Sequence, residues 1–367
     1  MSSLYIHMPF CGNKCFYCSF IIAVGQQQRV PAYLDCLSRE AQQCAGREVE
    51  TVYVGGGTPT ILNNDDLRRL MGIIKENFHF RSDAEVSIEA NPETIDYEKA
   101  GALFDLGFNR VSLGIQSLND RYLQKLGRRH DRATAISAYA SLRKAGFKNI
   151  NLDLMYGFPG QKESEIREDV RMIAGLRSEH LSLYSLNVEE NSRFFVRGVR
   201  LPAISHQAKF YVMVAKELAK AGFRQYEISN FSQNALESRH NICYWIGGNY
   251  LGLGLGAHSH FDGRRSWNIS RLPEYIRRVQ GGLPSEEGRE VLTAEQRFLE
   301  SLVFGLRMNQ GVSLEALEKK YSILLDDPRK VIIDECVRQG LLERGAGWIK
   351  TSMKGKLVLD EISARLI

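Results

Sequence analysis

The sequence predicts an α/β chain. A partial (βα)6 barrel, open on one side, comes first, and a small α+β domain of winged-helix-like order follows. Three observations carry this prediction. Six short β-rich runs alternate with helical patterns along the first half of the chain. Gly107, Gly146 and Gly175 stand where helix ends favour glycine. Each run is followed by a polar or glycine-bearing turn, so the six turns share the carboxyl end of one parallel sheet, where such sheets bind ligands.

In order, the strands are read at residues 4–8, 51–54, 85–89, 110–115, 150–155 and 181–186. The helices are read at 32–45, 67–78, 97–106, 133–145 and 165–176, with Asn64 and Asp65 as capping candidates for the second. Beyond residue 191 a helix at 207–221 precedes a stretch at 224–231 that reads as a seventh strand. From Thr293 two helices (313–321 and 327–339), a hairpin over 341–349 and a closing helix over 354–362 give the winged-helix-like order. Three regions follow from this reading: 1–232 for the barrel, 233–290 for a glycine-rich segment, and 291–367 for the tail.

Composition narrows the function classes. The chain has 367 residues, 44% of them hydrophobic and 25% charged, which is ordinary for a globular protein. A net charge of +5 from 48 basic and 43 acidic residues makes no electrostatic footprint for nucleic acid. The second tail helix mixes its charges, so a packing or lid role is expected there rather than DNA binding. No apolar run is long enough to span a bilayer and no signal peptide precedes the first motif, so a cytoplasmic protein is expected. Cys36, Cys44, Cys243 and Cys336 are scattered and read as free thiols of a reducing compartment.

Cys11, Cys15 and Cys18 lie directly after the first strand, separated by three and then two residues. Soft thiolates at this spacing converge on a metal centre. A disulfide with a spare thiol and a zinc knuckle completed by His7 are alternatives, but structural zinc wants four closed ligands. Three thiolates on an iron–sulfur cube leave one iron open. The spacing resembles the cluster loop of radical S-adenosylmethionine (SAM) enzymes, as does aromatic Tyr17 before the third cysteine, which flanks the adenine there. In that superfamily the open iron of a [4Fe–4S] cluster chelates the amino and carboxylate groups of exchangeable SAM. Reduction then releases a 5′-deoxyadenosyl radical.

The other turns extend the resemblance. Gly55-Gly56-Gly57-Thr58-Pro59 lacks the lysine of a P-loop and the spacing of a dinucleotide fingerprint, but its glycines admit close backbone approach to a small zwitterion. Glu89, Gln116, Arg128 and Asp153 stand at or just past strand ends. A carboxylate at Asp153 suits ribose hydroxyls, and the Arg128 fork suits a carboxylate. Taken with the blocks around residues 184–189, 226–231 and 240–259, these motifs resemble, over nearly the whole chain, the radical SAM family of oxygen-independent coproporphyrinogen III oxidases and the related haem chaperones. The resemblance implies Cys11, Cys15 and Cys18 as cluster ligands. It implies Tyr5, Gly56, Gly57, Thr58, Glu89, Gln116, Arg128 and Asp153 as SAM contacts.

Two features separate the branches. Phe20 stands where the oxidase branch carries a further cysteine, and the chain starts almost on its first strand, where the oxidases have a longer segment. His240-Asn241-x-x-Tyr244-Trp245 resembles the haem-binding signature of the chaperone branch. Imidazole ligates haem iron, and flat aromatics suit a porphyrin face. His258 is an alternative ligand. The expectation is a haem chaperone that passes haem to an acceptor, with a respiratory acceptor as one candidate and flavodoxin or ferredoxin as electron donor. The alternative is oxidative decarboxylation of coproporphyrinogen propionates to protoporphyrinogen IX. Nucleic acid is not an expected partner.

Overall fold

The computed structural model describes residues 2–367. Fourteen strands precede the tail: β1 (Ser2–Met8), β2 (Phe10–Cys11), β3 (Ala23–Val24), β4 (Arg47–Gly56), β5 (Phe78–Ala90), β6 (Arg110–Gln116), β7 (Ile150–Tyr156), β8 (His180–Ser185), β9 (Arg224–Gln225), β10 (Asn230–Ser232), β11 (Asn249–Leu253), β12 (His258–Phe261), β13 (Arg264–Asn268) and β14 (Glu286–Val291). Apart from the small β2–β3 pair, they form one twelve-stranded sheet in the order β14-β13-β12-β11-β1-β4-β5-β6-β7-β8-β10-β9. The six expected strands are β1 and β4 to β8, adjacent and parallel. The sheet curves without closing, with β14 and β9 at its edges.

Side-chain alternation gives the sheet two different faces. Residues such as Ile6, Val54, Ile88, Leu113 and Leu152 point outward into the core beneath the surrounding helices. The alternate residues, among them Tyr5, Tyr53, Glu89, Arg110, Ser112, Asn151, Asp153 and His180, line an interior cavity. Each strand is therefore buried on both faces, but one face is polar, which a lumen holding a polar ligand requires.

The structure departs from the sequence reading at several points. The stretch at 224–231 is not one strand but the short antiparallel β9 and β10. The seventh parallel strand is β11, in the glycine-rich stretch, pairing Leu4 with Leu251 and Ile6 with Leu253 on β1. Glycine is tolerated there because a Cβ on Gly252 would come within 2.1 Å of the His258 carbonyl oxygen. An unexpected helix, Asp120–Leu126, ends in left-handed Gly127 and so delivers Arg128 to the lumen. The second helix is capped by Asn63, whose side chain accepts from Asp66 N, and not by Asn64 or Asp65. Gly107 and Gly146 are left-handed caps; Gly175 is not, since the left-handed residue after that helix is Arg177 (φ 57°).

In the tail, helix Ala294–Gly305 leads to β15 (Val312–Ser313), helices Leu314–Tyr321 and Asp327–Arg338, and the hairpin of β16 (Leu342–Gly345) and β17 (Trp348–Thr351). The closing helix is split into Met353–Lys356 and Leu359–Leu366. This unit has its own apolar core around Leu302, Ile333, Cys336 and Ile349. Among the described residues no helix is long and apolar enough to cross a membrane.

Candidate functional site

The cysteine loop leaves β1 at Met8 and returns as β3, where Ala23 N donates to Pro9 O at 2.7 Å. Within it Cys18 N donates to Cys15 O at 3.2 Å, closing a tight turn between the second and third cysteines. Cys11 Sγ lies 3.2 Å from Thr58 Oγ1, and Arg128 Nη1 donates to Cys15 Sγ at 3.7 Å. All three cysteines line one end of a cavity of about 480 Å³. Burial pushes the Cys15 and Cys18 thiols up, and the Arg128 guanidinium opposes this at Cys15.

Two alternatives do not fit this geometry. Every cysteine is a free thiol, so there is no disulfide. His7 is committed elsewhere, with Nε2 2.8 Å from Ile21 O and Nδ1 3.0 Å from Tyr5 OH, so it does not complete a zinc knuckle. The thiols instead ring the cavity end, and no three potential ligands among the described residues converge on a single-ion point. In a cube each thiolate binds a different iron, so convergence on one atom is not needed. The soft three-thiol donor set fits a [4Fe–4S] cluster with one open iron.

The adjoining wall is built by the glycine turn. Gly56 has φ 114°, and a Cβ there would come within 2.6 Å of the His7 ring; one on Gly57 would come within 2.6 Å of Phe10 O. Glycine is thus required for β4 to pass the cysteine loop. Glu89 Oε2 accepts from Gly56 N at 3.0 Å, and Oε1 from Tyr53 OH at 2.8 Å. Arg128 Nη2 donates to Asn91 Oδ1 (2.8 Å) and Gly114 O (2.7 Å), while its buried Nε has no partner. Asp153 Oδ1 accepts from Asn151 Nδ2 at 2.7 Å and sits 3.5 Å from Ser112 Oγ. Gln116 is held left-handed (φ 67°), a conformation that turns its side chain at the strand end. Tyr5, Tyr17, Gly56, Gly57, Thr58, Glu89, Gln116, Arg128 and Asp153 all face the one cavity.

Burial, opposed by the Tyr53 hydrogen bond and reinforced by the nearby Asp153 charge, pushes Glu89 up to about 7. A carboxyl raised this far destabilises the empty fold as pH rises from its ordinary value through 7, where it must ionise in a dry site. A cation placed beside it reverses that penalty. If the ionised Glu89 accepts from the N–H groups of an amine bound beside it, affinity for that ligand rises with pH. From pH 6 to 8 the ionised fraction goes from about a tenth to about nine tenths, so SAM affinity should rise about tenfold. Calorimetric titration of the cluster-loaded protein across this range checks it, and Glu89→Gln should flatten the profile. A flat profile in the unsubstituted chain would contradict the assignment.

The block read as a haem signature is a helix, Arg239–Trp245, capped by Ser238 and by the Glu85 carboxylate, which accepts from Arg239 N (3.0 Å) and His240 N (3.1 Å). This places His240, Asn241 and Tyr244 at the far end of the lumen from the cysteines. His240 is 2% exposed and stacks on Tyr53 at 5.1 Å. Thr51 Oγ1 lies 2.7 Å from its Nδ1, and Tyr244 OH lies 2.9 Å from its Nε2. Burial, with the Arg110 charge, drives His240 down to about 3. Both ring nitrogens are thus occupied in a neutral imidazole. Trp245 faces away, into a second cavity against the tail domain. His258 is exposed and stacks on Trp267 at 6.1 Å.

Sequence reasoning missed two buried acids that hold the elements around this site. Asp169, on helix Glu163–Gly175, is buried and accepts from Ser117 Oγ at 2.6 Å and Leu118 N at 3.3 Å, fixing the turn behind Gln116. Glu40 is buried at the base of the glycine-rich stretch, accepting from Gly254 N (2.9 Å), Tyr275 OH (2.7 Å), Ser285 Oγ (3.0 Å) and Asn268 Nδ2. Both were detectable as acids on the apolar face of an amphipathic helix, Glu40 among Tyr33, Leu37 and Ala41, and Asp169 among Ile166, Val170 and Ile173.

Comparison with known proteins follows the same outline. The Radical SAM superfamily model matches residues 5–173, and the HemN C-terminal domain model matches residues 292–358. The chain is similar to the heme chaperone HemW of Bacillus subtilis (strain 168), at 35% identity over 99% of this chain and 98% of that one. It is 32% identical to the heme chaperone HemW of Escherichia coli (strain K12), over 98% and 96% of the two chains. Among solved structures, the coproporphyrinogen III oxidase HemN of Escherichia coli, a radical SAM enzyme, superposes with a TM-score of 0.89 at 25% identity, covering 100% of this chain and 89% of that one.

Proposed function

This chain belongs to the family of the haem chaperone HemW, within the radical SAM superfamily, and on that premise we propose that it binds haem and hands it to an acceptor protein. The observation that carries this reading is similarity at 35% identity along the full length of such a chaperone. Cys11, Cys15 and Cys18 hold a [4Fe–4S] cluster in this reading. The cluster supplies one iron free of protein ligands and a route for one electron. Glu89 accepts from the N–H groups of the SAM amino group, Arg128 pairs with its carboxylate, Asp153 with its ribose hydroxyls, and Tyr17 flanks its adenine; Tyr5, Gly56, Gly57, Thr58 and Gln116 complete the bed. His240, Asn241, Tyr244 and Trp245 lie on the helix that leads into β11, in the 233–290 segment whose strands extend the sheet toward the tail of 291–367.

Two cavities offer separate places for SAM and haem: one of about 480 Å³ lined by the cysteines and the SAM residues, and one of about 310 Å³ lined by Trp245 against the tail domain. Free thiols throughout the chain suit a reducing cytoplasm, with flavodoxin or ferredoxin as the electron donor. The acceptor is a haem protein, with respiratory enzymes the first to test.

The fold likeness to HemN makes decarboxylation of coproporphyrinogen the second reading. Phe20, 67% exposed on the cysteine loop, stands where that branch has a further cysteine. Anaerobically reconstituted protein, given SAM, a low-potential reductant and coproporphyrinogen, should yield no protoporphyrinogen beyond a protein-free blank. Multiple turnovers would overturn the chaperone reading.

A further inference from the structure

We infer that His260, rather than His240 or His258, is the axial ligand to haem iron, in the cleft between the barrel and the tail domain. The inference rests on the chaperone reading above and assigns the site that reading needs. A histidine that ligates iron must present one ring nitrogen as a bare lone pair, and the other nitrogen usually donates to a carbonyl that fixes the tautomer. His240 fails this test, since Thr51 and Tyr244 occupy both its nitrogens. His260 meets it. Its Nδ1 lies 3.2 Å from Gly248 O, and a carbonyl only accepts, so Nδ1 carries the proton. Its Nε2 is then a lone pair, and it is buried with no hydrogen-bond partner among the described residues.

The surroundings suit the same ligand. His260 lines a cavity of about 310 Å³ together with Trp245, Tyr250, Phe304 and Tyr321, a set of flat aromatic side chains drawn from both domains. That volume admits part of a porphyrin, so the macrocycle would project toward solvent. Trp245 Nε1 is also buried without a partner. Arg297 lines the cavity too and forms no ion pair among the described residues, leaving a guanidinium for a propionate. By contrast, Arg265 on the same cavity is already paired with Glu290 and Glu300. An unpartnered imidazole nitrogen, an aromatic slot, and an arginine that forms no ion pair among the described residues and lies over the Tyr321 ring together describe an amphipathic iron porphyrin. Trp245 thereby gains a place at the haem that its position away from the SAM cavity denied it.

The test uses the full chain titrated with ferric haem, read by optical absorption and resonance Raman scattering. The expected result is stoichiometric binding with a histidine-ligated signature. His260→Ala should lose that signature and at least tenfold in affinity while keeping its circular dichroism. His240→Ala and His258→Ala should keep the signature. His260→Gly with added imidazole should regain it, which separates loss of a ligand from damage to the fold. Unchanged spectrum and affinity in His260→Ala would overturn the inference alone. Failure of the unsubstituted chain to bind haem would overturn the chaperone reading as well.

Discussion

A Cys15→Ser chain, reconstituted anaerobically with iron and sulfide, should hold almost no iron and lose the cluster's visible absorption. Cys15 is 8% exposed in a cavity wall, and among the described residues Arg128 is the one that hydrogen-bonds its sulfur. A serine hydroxyl is a hard, weakly acidic ligand and replaces a soft thiolate poorly. With one thiolate gone, two protein ligands must hold a cube that was already one short of closure. Metal-dependent sites owe much of their binding energy to a complete ligand set, so the loss should be nearly total rather than graded. The fold should survive, because the loop adds few residues to the main core. Iron and sulfide content per chain, with circular dichroism as the control, measures this. Near-full iron content in Cys15→Ser would remove that residue from the ligand set.

The second large effect falls on stability. Glu40→Ala should destabilise the chain by about 3–5 kcal/mol, because it strands four donors that now converge on one buried carboxyl. Those donors come from the turn after β11, the end of β13, helix Leu272–Gln280, and the loop before β14. Glu40 thereby ties the barrel helix Val30–Gln42 to the last third of the sheet. The effect should be cooperative: β11 loses its anchor beside β1, and the cavity wall under the cysteine loop loosens with it. Urea denaturation of the cluster-free protein gives the number. Glu40→Gln, which keeps the size and one acceptor oxygen, should recover part of it. A loss below about 1 kcal/mol for Glu40→Ala would show that the network is held by its other members.

Much of this architecture was legible because it repeats. Six strands, each followed by a functional turn, show the same pattern six times, and the cysteine spacing is compact enough to read without a fold. What escaped reading was long-range or contrary to propensity. β11 is glycine-rich, and glycine is depleted in strands, so only pairing with β1, more than two hundred residues earlier, reveals it. The polar lumen was present in the alternation of β6 and β7, where Arg110, Ser112, Asn151 and Asp153 face one way and Val111, Leu113 and Leu152 the other. The block at 239–245 carried its own helix signal in Ser238, a favoured cap. The sequence reading put His240 first, with His258 as the alternative, and did not single out His260; what separates the three is which ring nitrogen finds a partner once the strands are paired.

The chaperone account rests on haem leaving as well as binding. Haem-loaded protein, separated from free haem and mixed with an excess of an apo-haem protein, should transfer its haem to that acceptor. The acceptor's absorption should grow in step with the loss of the donor's, and faster than haem released into buffer alone can supply. If haem stays on the donor, or reaches the acceptor only at the rate of release into buffer, the protein is not acting as a haem chaperone.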